Sequence, residues 1–91
     1  MSPEVETLDQ LLSGPLLLEV IRGLYPDHQR FRRGVSALLQ TEGVLLLTPG
    51  GDEVPKWRWD EVLAEAETSV ANEKTSHRLS ITEAGVRRIG G

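Results

Sequence analysis

The sequence predicts one α+β domain spanning residues 1–91, with three short N-terminal helices, then a strand, a turn and a strand, then a further short C-terminal element of helix or strand. Three observations carry this expectation. Apolar residues recur at helical spacing from Val5 to Leu39, interrupted at Ser13-Gly14-Pro15 and at Tyr25-Pro26-Asp27. The run Val44-Leu45-Leu46-Leu47 is short, apolar and followed by Pro49-Gly50-Gly51-Asp52, a strong turn signal. The composition, 38% hydrophobic and 26% charged over 91 residues, is that of a single globular domain.

The first helix opens at Pro3, with Ser2 as its cap and Glu4 and Glu6 where the helix dipole favours acids. Val5, Leu8, Leu11 and Leu12 form its apolar side, and Ser13-Gly14 stops it. Pro15 opens a second helix carrying Leu16, Leu17, Val20, Ile21 and Leu24, which Tyr25-Pro26 breaks. The third helix runs from about Asp27 to Glu42. Phe31, Val35, Leu38 and Leu39 form one stripe, and Gln29, Arg32, Arg33, Ser36 and Gln40 lie opposite. Gly34 weakens this helix by about 1 kcal/mol relative to Ala unless close packing requires it. Val44 to Thr48 reads as a buried strand. Val54 to Trp59 is a candidate returning strand, limited by Pro55. Asp60 to about Val70 is helical in pattern, Arg78 to Ile81 alternates as a strand does, and Thr82 caps a last turn through Ile89.

Three helices followed by strand, turn and strand is the element order of a winged helix-turn-helix. Leu11-Leu12-Ser13-Gly14-Pro15-Leu16 resembles the joint between the first two helices of such domains. Val35 to Leu45 resembles a recognition helix running into the wing, and Arg78-Leu79-Ser80-Ile81-Thr82-Glu83-Ala84-Gly85 resembles the phrase closing the wing in MarR-like and PadR-like regulators. The wing is closed either by residues 78–81, across about 30 intervening residues where a simple wing has far fewer, or by residues 54–59.

That resemblance implies a small dimeric transcriptional regulator whose third helix enters the major groove of double-stranded DNA. Gln29, Arg30, Arg32, Arg33, Ser36 and Gln40 have the chemistry for base edges and phosphates, with His28 at the helix start and Lys74, His77 and Arg78 as flanking contacts. An ordinary solvated face is the plain alternative for these arginines. The net charge of −4 opposes a charge-driven nucleic-acid binder, but its distribution is uneven. Arg30, Arg32 and Arg33 lie between Asp27 and Glu42, whereas residues 52–73 hold seven acids against Lys56 and Arg58.

The second reading is a winged-helix protein-interaction module. As a strand, Trp57-Arg58-Trp59 places both tryptophans on one face, suited to a partner or dimer surface with the acidic 60–73 segment beside it. The same tryptophans can instead close a thin core. Such a short chain has little core of its own, and a homodimer would supply more. A third reading takes Arg87-Arg88-Ile89-Gly90-Gly91 as the terminal tail of a ubiquitin-like carrier, although those proteins begin with a hairpin.

The catalytic inventory is poor, and no enzyme, cofactor or metal is expected. There is no cysteine, which excludes a disulfide, a thiol nucleophile or a thiolate zinc site. His28 and His77 have no acid at ligand spacing, and Gly50-Gly51 lacks the Lys-Ser/Thr of a phosphate loop. The longest apolar run is far short of a membrane span, and Met1 to Glu6 lacks the regions of a signal peptide, so the expected compartment is the cytoplasm.

Overall fold

The computed structural model describes residues 2–90. Among the described residues five α-helices surround a small antiparallel sheet: α1 (Pro3–Leu11), β1 (Leu16–Leu17), α2 (Leu18–Arg22), α3 (His28–Gln40), β2 (Val44–Leu47), α4 (Trp59–Ala66), β3 (Arg78–Ile81) and α5 (Glu83–Gly90). The strand order is β1-β3-β2, so the last strand in sequence lies in the middle. Leu16 faces Leu79 on one side of β3, and Val44 faces Ile81 and Leu46 faces Leu79 on the other. The chain is of the α+β class.

Local chemistry sets the helix starts. The Ser2 hydroxyl accepts from the Val5 N–H at 3.2 Å, and Asp27 Oδ1 accepts from the Arg30 N–H at 2.7 Å. The Thr82 hydroxyl accepts from the Gly85 N–H at 3.1 Å. Gly14, at φ 131°, turns the chain out of α1 in a conformation that side chains oppose.

Two sequence expectations are corrected. Leu16 and Leu17 are not the start of the second helix but the strand β1, because β3 offers them a backbone ladder that local periodicity cannot reveal. Val54 to Trp59 is not a strand. An isolated bridge pairs Leu47 with Glu53, just before this segment, and then Pro55 leads into a 3₁₀ turn at Lys56–Arg58 and into α4. The strand paired with β2 is therefore β3, and residues 48–77 intervene. The fourth helix is also shorter than its pattern, ending at Ala66, and the last turn is a full eight-residue helix.

The core is continuous. Phe31, Val35, Leu38 and Leu39 of α3 join Leu8 and Leu11 of α1, Leu18 and Ile21 of α2, Val62 and Leu63 of α4, and the inward residues of the sheet. Gly34 belongs to this packing. A Cβ there would meet Tyr25 Cε2 at 2.6 Å and Glu4 Oε2 at 2.7 Å, so its helix penalty is offset by the close seat of the tyrosine. The Tyr25 hydroxyl in turn bonds Thr7 Oγ1 at 3.0 Å, and its ring meets Phe31 edge-on at 5.8 Å.

Candidate nucleic-acid interface

One face of α3 is buried, and the opposite face decides what the helix can touch. Gln29, Arg33, Ser36 and Gln40 follow one another four, three and four residues apart, which stacks them along a single ridge. Gln29, Arg33 and Gln40 are exposed and Ser36 is half-buried. Gln40 Nε2 donates to Ser36 Oγ at 3.2 Å, so the C-terminal end of the ridge is preorganised.

Arg30 and Arg32 do not share that ridge. A helical step of 100° places them on its two flanks, each beside a carboxylate from another helix. Arg30 Nη2 donates to Glu4 Oε1 of α1 at 3.0 Å. Arg32 Nη1 lies 3.9 Å from Glu67 Oε2, just beyond α4. Among the described residues Arg33 is the arginine of α3 with no acidic partner. Both arginines are exposed but Glu4 and Glu67 are half-buried, so releasing an arginine leaves a partly desolvated carboxylate unpaired, at a cost above that of a fully exposed pair.

The position of α4 depends on Arg22, the last residue of α2. Its Nη1 donates to the carbonyls of Ala66, Glu67 and Ser69 at 2.8, 3.1 and 3.0 Å, where helix ends leave carbonyls unpaired. This clasp brings Glu67 to Arg32. Glu19, also on α2, is buried and accepts from the Ser69 hydroxyl. At the other end of α3, Arg88 of α5 donates to Thr41 Oγ1 at 2.7 Å and to the Thr41 carbonyl at 2.8 Å. None of these partners is close in sequence, and no local pattern announces them.

The flanking candidates are dispersed. Lys74 is exposed in the 72–77 loop, where its N–H donates to Asn72 Oδ1 at 2.9 Å. Arg78 starts β3 and folds back, donating from Nη2 to the Glu73 carbonyl at 2.9 Å with its Nε buried. His28 is exposed and His77 half-buried. Among the described residues no cluster of His, Asp and Glu is arranged to hold a metal.

The tryptophans do not share a face, because residues 56–59 form a turn and a helix start rather than a strand. Trp59 packs against the core and donates from Nε1 to the Val54 carbonyl at 3.1 Å, with Lys56 Nζ 5.9 Å from its ring centroid. Trp57 stands 80% exposed. Of the terminal glycines, Gly90 ends α5 and Gly91 lies outside the described residues. Among the described residues no helix is long and apolar enough to cross a membrane.

Comparison with known proteins adds no assignment to this geometry: no family model, curated protein or solved structure matches the chain.

Proposed function

We propose that the chain is a winged-helix domain that binds double-stranded DNA through α3, as a small dimeric regulator. The observation that carries this reading is the topology. One strand lies between α1 and α2, α3 leads straight into β2, and β3 inserts between β1 and β2. In that arrangement the helix before the β2–β3 wing is the one presented to the major groove. Its outer ridge offers Gln29, Arg33, Ser36 and Gln40, whose amide and guanidinium groups match adenine and guanine edges. Arg30 and Arg32 flank the ridge as phosphate contacts once released from Glu4 and Glu67. Dimerisation is supported by exposed Val5 on α1, Leu12 just after it and Val86 on α5.

The test is fluorescence anisotropy with pooled duplex fragments across a salt series. Binding should weaken steeply with salt. Arg33→Ala should weaken binding by about 1–3 kcal/mol as the loss of a guanine contact, and Arg32→Ala should flatten the log–log slope by about 0.9 as the loss of a phosphate contact. Glu67→Gln should tighten binding by unmasking Arg32. Absence of binding at low salt, or an unchanged affinity in Arg33→Ala with an unchanged slope in Arg32→Ala, overturns the assignment of α3.

A second reading, the protein-interaction module, is favoured by the exposure of Trp57, an aromatic of the type that anchors interfaces. In that case Trp57→Ala abolishes partner capture without changing thermal stability, and DNA binding is absent.

A further inference from the structure

A half-open groove of about 410 Å³ lies where the C-terminal end of α3, β2 and the start of α5 meet the loop before α4. It uses none of the ridge residues of α3. Leu39, Val54 and Trp59 contribute its apolar wall, and Glu42, Glu53 and Glu83 also line it. A volume of this size suits a small organic molecule rather than a solvent pair.

The charges around the groove favour one sign of ligand. Glu83 is paired with Arg87 at 2.7 Å, whereas Glu42 and Glu53 have no basic partner among the described residues. Two cations stand outside the lining: Lys56, over the Trp59 ring, and Arg88, held on the Thr41 carbonyl next to Glu42. An anion entering here would meet two unmatched carboxylates, and a neutral molecule would leave them unmatched.

Glu42 adds a separate observation. It follows the α3 C-cap, Thr41, with φ at +60°, and the next N–H, of Gly43, bonds back to the Leu38 carbonyl at 2.9 Å. Glycine is the usual residue at this position, because a Cβ is strained there. The chain instead places a carboxylate there, beside the apolar wall.

We propose that this groove binds a small amphipathic organic cation, with the apolar body on Leu39, Val54 and Trp59 and the ammonium beside Glu42 and Glu53. The site is separate from the DNA-reading ridge and stands or falls independently of it.

Three probes sharing one apolar body test this: phenylbutylamine, phenylbutanol and phenylbutyrate, titrated into the isotopically labelled full chain and followed by amide chemical shifts. The amine should move Leu45, Thr82 and Ala84 saturably, more tightly than the alcohol, with the carboxylate weakest. Glu42→Gly should keep or raise the thermal midpoint, since it relieves the backbone, while weakening amine binding up to about five-fold, the upper worth of one exposed ion pair. Alcohol binding should stay unchanged in that variant. Lys56→Ala should tighten the amine. The proposal is overturned if the amine shifts no groove resonances, if the three probes bind alike, or if Glu42→Gly binds the amine as the parent chain does.

Discussion

Substituting Gly85 with alanine sets two magnitudes against each other. Helix propensity alone favours the change by about 1 kcal/mol. The structure opposes it. A Cβ at Gly85 would run into the Gly43 carbonyl oxygen and stand 2.8 Å from Ile81 Cγ1. Gly43 cannot withdraw, because its N–H bonds the Leu38 carbonyl at 2.9 Å and its carbonyl accepts from Thr82 at 3.1 Å. The helix α5 must therefore lift, which strains the Arg88–Thr41 contacts and the seat of Ile89. Overpacking of this kind costs about 1–3 kcal/mol, and a backbone clash belongs at the upper end. The expected net loss is about 2 kcal/mol. With a urea slope near 1 kcal/mol/M for so small a domain, the unfolding midpoint should fall by about 2 M. Gly90→Ala is the control, because nothing lies within 4 Å of a Cβ there, and it should be neutral or slightly stabilising. A Gly85→Ala chain as stable as its parent would refute the close approach of α5 to Gly43.

The two tryptophans should part company on truncation. Trp59→Ala should cost roughly 3 kcal/mol, while Trp57→Ala should stay within about 0.5 kcal/mol of the parent in the same urea assay; equal losses would contradict their different settings. Tyr25, the single tyrosine, has its pKa pushed up to about 12, chiefly by burial. Its folded form holds the proton more tightly than the unfolded chain, so its contribution to stability is intact below the unfolded value of about 10 and is lost as pH rises towards 12. Ultraviolet titration of the tyrosinate under folded conditions should give the high midpoint, and a midpoint near 10 would mean that the ring is exposed.

Much of the local structure was legible in the residues. Ser2, Asp27 and Thr82 announce their helices because capping is a contact made within a few residues. The apolar stripe of Phe31, Val35, Leu38 and Leu39 fixes which side of α3 is buried, and so also that Gln29, Arg33 and Gln40 face outward. Tertiary structure decided the rest, since its causes lie far along the chain. Leu16 and Leu17 became a strand only because Arg78 and Leu79 were there to pair with them. Trp57 and Trp59 were separated by a turn that the pairing of β2 with β3, rather than with residues 54–59, left free to form. The arginine cluster was divided by Glu4 and Glu67, whose approach depends on how α1 and the end of α4 pack. Sequence by itself determined which residue types face water on α3. Packing determined which of their charges are already answered, because the Coulomb energy of a charge depends on neighbours in space.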